Sequence, residues 1–166
     1  MFSKRYRIQE IPLDADDISE RNWRLYLNPD EKYETVDSHH LVKWRIKGSE
    51  TTADLEQILE EFPYKIPVEN QCGYWVRAIS GVHPFPNANH RTATQTLMYV
   101  LNENGYSIDE VTGGLIGRCV NWSKRMKKGS DSITVTTDNL HERDALFRLW
   151  RDYFEFELWK RYLQGG

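Results

Sequence analysis

The sequence has little that could serve as a covalent or metal scaffold. Its 166 residues include two cysteines, Cys72 and Cys119, too few for a disulfide framework and in no CxxC spacing that would suggest zinc or redox chemistry. They read as reduced, buried small hydrophobes. No apolar run approaches the ~20 residues that a spanning helix needs. The start, Met1–Arg7, is basic with no apolar stretch behind it, so no signal peptide is expected. Nor is there a repeat, a low-complexity tract or a linker-like shift in composition. These absences predict a soluble cytoplasmic chain folded as one domain over residues 1–166, long enough to bury a core without staples. An excess of positive charge is also missing. The formal charge is -3 and the pI about 6.0, which argues against a general nucleic-acid binder. Aromatic residues make up 13%, too many for a disordered chain.

Charge is unevenly spread. Residues 1–70 carry 10 basic and 15 acidic groups, and residues 109–166 carry 10 and 9. The 38 residues between contain only Arg77, Arg91 and Glu103. That middle block reads as interior, and the question is what a charge does there.

The apolar periodicity is mainly helical. A short helix is predicted around Ile18–Leu27, with Asp16 or Asp17 as its cap. In Val42-Lys43-Trp44-Arg45-Ile46-Lys47-Gly48, apolar and cationic residues alternate, the period of an edge strand with one wet face. Thr51 then precedes Asp54 at capping-box-like spacing, and Leu55, Ile58, Leu59 and Phe62 follow at helical spacing. Further helices are predicted over about 69–80 and 89–104, both nearly uncharged all round and therefore surrounded by others. A weaker helix is expected over about 115–127, a β-branched run at Ile133–Thr136, and a long helix from about Asn139 to Leu163. The class is mainly α with at most a small hairpin.

Between the two uncharged helices lies Gly81-Val82-His83-Pro84-Phe85-Pro86-Asn87-Ala88-Asn89-His90-Arg91-Thr92-Ala93. Asn87 and Asn89 are helix-cap types, so the next helix should begin among them with its free N–H groups in the loop, a ready anion site. Arg91 falls in that first turn, where a cation opposes the helix macrodipole and calls for an anion. A bound phosphate or a carboxylate from elsewhere in the fold would each answer. His83 stands across the loop. An unperturbed imidazole, with pKa about 6.5, is able to serve as a neutral base against a phosphate; it is equally able simply to bond the loop backbone. Phe85 reads as a core plug that fixes the loop.

The run His83–Ala93 resembles the signature of the Fic/Doc family, H-x-F-x-[DE]-[AG]-N-[GK]-R, and its Ala-Asn-x-Arg-Thr-Ala ending is closer to the Doc toxin branch than to Fic adenylyltransferases. The resemblance covers about residues 68–108, and more loosely 42–108. It implies a helical bundle with the motif loop over a nucleotide pocket. The implied activity moves a phosphate or nucleotidyl group from ATP, or another nucleoside triphosphate, to a Ser, Thr or Tyr hydroxyl of a target protein. His83 would then be the catalytic base. Asn87, Ala88, Asn89, His90 and Arg91 would bind nucleotide phosphates, with Mg²⁺ held at position 87. A β-hairpin flap would dock the target as an added strand, and Val42, Lys43, Trp44, Arg45 and Ile46 sit where it would lie. The toxin branch implies a separate antitoxin as partner.

The sequence departs from the family in three places. Asn87 replaces the acidic metal ligand, and an amide carbonyl holds a hard cation more weakly. His90 stands where Lys or Gly is usual, either touching a phosphate or facing solvent. Thr94 stands where adenylyltransferases carry a second Arg, which fits a kinase-like transfer. The inhibitory [ST]-x-x-x-E-[GN] pattern is not met, since Gln57 follows Glu56. The alternative is a protein that kept the fold, lost the chemistry and acts as a binding or regulatory module. Elsewhere, His39-His40 and His141-Glu142 read as surface residues. Lys124-Arg125-Met126-Lys127-Lys128 reads as a solvated helix end, with nucleic-acid contact the other option.

Overall fold

The computed structural model describes residues 7–27, 48–106, 108 and 113–165. They form six helices: α1 (Ala15–Leu27), α2 (Gly48–Glu60), α3 (Val68–Val82), α4 (Asn89–Glu103), α5 (Gly113–Met126) and α6 (Ala145–Gly165). No strand occurs among the described residues. The alternating segment Val42–Lys47, expected as a flap, lies outside them, and Gly48 already opens α2.

Helix α3 is the centre of the bundle, in contact with α2, α4 and α6. α1 packs on α2 and α4, and α5 on α6. The nearly uncharged sequence of α3 follows from that position, since its residues from Gln71 to Ser80 are all buried. Trp75, Trp150, Tyr74, Phe85 and Phe154 are the bulkiest core side chains. Burying such a side chain contributes about 1.5–3 kcal/mol. Close approach of α3 to α6 depends on Gly73, where a Cβ would stand 3.0 Å from the Phe147 ring and 3.1 Å from its carbonyl oxygen. Both cysteines are free and buried, as their isolation in the sequence predicts.

The charge in the middle of α3 has a specific answer. Arg77 is fully buried, with Nε 3.1 Å from both Asp144 carboxylate oxygens and Nη2 2.8 Å from one of them. Its Nη1 donates to the Asn139 carbonyl at 2.8 Å. Burial alone would raise the Asp144 pKa. Hydrogen bonds from Arg77 and the Phe147 amide, with the charge of Arg77, outweigh that and hold it below the usual carboxylate value.

Several boundaries differ from expectation for local reasons. α1 is capped by Asp14, not Asp16 or Asp17: Asp14 Oδ1 accepts the Asp17 amide at 2.8 Å and Asp17 Oδ2 accepts the Asp14 amide at 2.9 Å, a reciprocal box. Thr51 does not cap α2, which begins three residues earlier. α6 starts at Ala145 rather than Asn139, because Asp144 caps it through the Phe147 amide at 3.0 Å. Asn139 instead closes the preceding turn, bonding the Thr136 amide and the Thr134 carbonyl. The run Ile133–Thr136 is that turn's approach and is not a strand. No helix among the described residues is long and apolar enough to cross a membrane.

Candidate functional site

The chain leaves α3 at His83 in the left-handed conformation, φ 59° and ψ 56°, with its amide bonded to the Ile79 carbonyl at 3.1 Å. It enters α4 from Ala88, also left-handed at φ 61° and ψ 27°. These are the two non-glycine residues of positive φ among the described residues, and they bracket the motif loop. L-residues adopt this conformation at a cost, and such sites cluster where function demands them.

Three neighbouring helices fasten the loop between them. From α2, the buried Thr51 hydroxyl donates to the Pro84 carbonyl at 2.7 Å. From α1, Asn22 Nδ2 donates to the Asn87 carbonyl at 2.9 Å and to Thr92 Oγ1 at 3.0 Å. From α4, Asn89 closes a ring on the loop backbone: its Oδ1 accepts the Phe85 amide at 3.0 Å and its Nδ2 donates to the Phe85 carbonyl at 2.8 Å. Phe85 is 1% exposed, the plug its sequence context suggests. The Asn89 side chain is thus committed to the loop backbone.

The result is a cleft of about 70 Å³ between the loop, the first turn of α4 and α5, lined by His83, Pro86, Asn87, Ala88, Asn89, His90, Arg91, Val120 and Lys124. His83 is exposed at its edge, while Arg91 is 8% exposed within it. Ala88 makes no side-chain cap on α4, so the first-turn amides are not taken by one. Thr94, in place of a second Arg, turns its hydroxyl back to the His90 and Arg91 carbonyls of its own helix.

His90 does not face solvent. It is 8% exposed, and its Nε2 shares a hydrogen bond of 2.8 Å with Ser123 Oγ on α5. Trp150 Nε1 donates to the same oxygen at 3.4 Å. Burial, reinforced by the charges of Lys127, Lys124 and His83, pushes its pKa down to about 3, so the ring is neutral near pH 7.

The basic run 124–128 is likewise not a plain solvated end. Lys124 lines the cleft, and Lys127 Nζ donates to the Ser80 carbonyl in the last turn of α3 at 2.6 Å. That contact satisfies a C-terminal carbonyl with a cation, as the helix dipole favours. The residues missed by sequence reasoning are therefore Lys124 and Val120, contributed by a helix far from the motif. The only signal in sequence was cation density at the end of α5, which does not say which cations turn inward.

A larger groove of about 240 Å³ lies away from the motif, between residues 12–13, α1 and α4, lined by residues including Asp17, Glu20, Arg21 and Arg24. Its charges balance, and Arg24 already bonds Glu20 at 2.7 Å. The smaller cleft has the stronger claim, because it joins two cations, two histidines, a helix start and a loop bracketed by two left-handed residues.

No family model, curated protein or solved structure matches the chain. The donor set is the test of the expected metal. Among the described residues no group of three or more His, Cys, Asp or Glu is placed to hold an ion, and the cleft lining contains no carboxylate. Asn87, at the position the resemblance gives to the metal ligand, carries a neutral amide. A hard divalent cation prefers charged oxygens, so this set does not fit a protein-held Mg²⁺.

Proposed function

We propose that the chain is a Fic/Doc-like transferase that moves a phosphoryl or nucleotidyl group from a nucleoside triphosphate to a hydroxyl side chain of a target protein. The observation that carries this reading is the motif loop itself: His83, held left-handed and exposed, borders the same cleft as the buried Arg91 and the start of α4. Arg91 and the α4 amides would bind phosphate oxygens, the guanidinium as a fork and the amides through the helix dipole. His83, as the base, would take the proton of the target hydroxyl while its oxygen attacks phosphorus. The bond to the leaving phosphate oxygen then breaks. A nucleoside diphosphate departs if the γ-phosphate moves, and pyrophosphate if the nucleotidyl group moves. Thr51, Asn22 and Asn89 would serve by holding the loop, so that His83 needs no rearrangement when the nucleotide arrives. A separate antitoxin chain would restrain the activity.

The test is labelling in a cell lysate with α- and γ-labelled ATP in parallel, using wild type and His83→Ala. The reading expects a protein band from wild type that disappears with His83→Ala; label from γ alone means a kinase, and label from α alone means nucleotidyl transfer. No label from either position on any protein refutes the reading. A second reading, a binding module without chemistry, is favoured by Asn87 and the carboxylate-free cleft. A large gain of transfer in Asn87→Asp would identify it as a degenerate site.

A further inference from the structure

The four cations of residues 124–128 divide into two pairs. Arg125, exposed on α5, lies over the Trp122 ring at 5.7 Å, and Lys128, beyond the end of α5, is exposed, so both face outward. Lys124, in the last turn of α5, lines the cleft beside the first turn of α4, and Lys127, just past the end of α5, reaches α3. Lys127 is anchored on the Ser80 carbonyl. Lys124 lines the cleft together with Arg91 and His83. These groups line one cleft whose lining contains no carboxylate, an arrangement that favours a polyanion.

The field of Lys124 is felt on both sides. After burial, it contributes to lowering the pKa of Lys127 and of His90. Its side chain lines the same cleft as Asn89, His90 and Arg91 of the first turn of α4, where the amides and the guanidinium favour an anion. A Lys ammonium is a compact point charge suited to phosphate oxygens in any orientation, and it complements the directional fork of Arg.

We infer that Lys124 is a phosphate-binding residue which, with Arg91, supplies the charge neutralisation that a carboxylate-held divalent ion would supply, so that the cleft binds a nucleoside triphosphate without requiring Mg²⁺. This rests on the phosphate-binding reading of the cleft. It accounts for Asn87 as well. A carboxylate at that position would add a negative charge beside the phosphates, useful only with a metal between them. With Lys124 in the lining, a neutral amide is the compatible choice.

The experiment is calorimetric titration of a non-hydrolysable ATP analogue into wild type, Lys124→Gln and Lys124→Arg, each in EDTA and in millimolar Mg²⁺. Thermal melts without nucleotide confirm that the variants fold. The inference expects wild-type affinity to differ by less than about threefold between the two buffers. It expects Lys124→Gln to weaken binding by about tenfold or more in both, as loss of a charge-assisted contact does, with Lys124→Arg retaining most of it. Binding that requires Mg²⁺ and is unchanged in Lys124→Gln overturns the inference and leaves the phosphate reading standing. No binding to wild type in either buffer overturns both.

Discussion

His83 provides a direct way to separate the cost of the motif loop from its use. The residue sits at φ 59° and ψ 56°, and its ring is exposed. In this conformation an L-residue is less favourable than glycine by roughly 1–2 kcal/mol, because its Cβ crowds the following carbonyl oxygen. Glycine gives back part of that through the larger entropy of its unfolded chain, about 0.5–1 kcal/mol. Comparing His83→Gly with His83→Ala removes the imidazole from both and leaves only the backbone term. Glycine should be the more stable of the two by about 1 kcal/mol. For a urea m-value near 2 kcal/mol/M, this is a midpoint higher by about 0.5 M. Equilibrium urea unfolding at pH 7 measures it. Both variants should also lose protein labelling equally, since neither has a base. A stability gain without activity would show that the fold tolerates strain at this position where chemistry uses the imidazole. If His83→Ala unfolds at the same or a higher urea concentration than His83→Gly, the backbone is not held left-handed and the reasoning fails.

Other perturbations test the scaffold behind the loop. Asp144→Ala leaves the Arg77 charge buried and uncaps α6, so it should cost about 3–5 kcal/mol in urea unfolding. Because Asp144 is held below its usual pKa, its contribution is present above about pH 4 and is lost as pH falls through the lower folded value. His90 acts in a different window. Its folded pKa near 3 lies below the unfolded value of about 6.5, so the unfolded chain takes up a proton first and stability falls as pH drops from 6.5, by at most about 1.4 kcal/mol per unit. His90→Gln should flatten the stability profile between about pH 4.5 and 6, and an unchanged slope would contradict the neutral buried ring. Gly81→Ala would set a Cβ 2.5 Å from Val135 Cγ2 and should destabilise by about 1–3 kcal/mol. Val135→Ala in the same chain should recover much of that loss, as a double-mutant cycle would show.

Much of the fold was legible because it is written in local periodicity. The motif helix lies at Asn89–Glu103 against an expected 89–104, and of the expected core face of the last helix Leu146, Trp150, Tyr153 and Phe154 are buried while Leu149 is partly so. Cap positions were less legible where several acceptors adjoin. Asp14, Asp16 and Asp17 are all competent N-caps, and the choice is made by the reciprocal bonds between Asp14 and Asp17. The partner of Arg77 was hidden for another reason: Asp144 is 67 residues away, and nothing in the local sequence announces it. The site divides in the same manner. His83 and Arg91 stand in one contiguous motif, so their shared cleft could be expected. Lys124 comes from α5, and the direction of its side chain depends on how α5 packs. Asn89 and His90 stand within the motif, yet the direction of their side chains is set by contacts that only the folded chain supplies, with Phe85 and with Ser123.

The central claim is that nucleotide phosphates occupy the cleft at the start of α4. An experimental structure with a non-hydrolysable ATP analogue bound tests it most directly. The account predicts the terminal phosphates over the first turn of α4, within hydrogen-bond distance of the Arg91 guanidinium and the Lys124 ammonium, with His83 beside the phosphorus to be attacked. Phosphates placed elsewhere, for instance in the groove between Leu13, Arg24 and Tyr99, would contradict it.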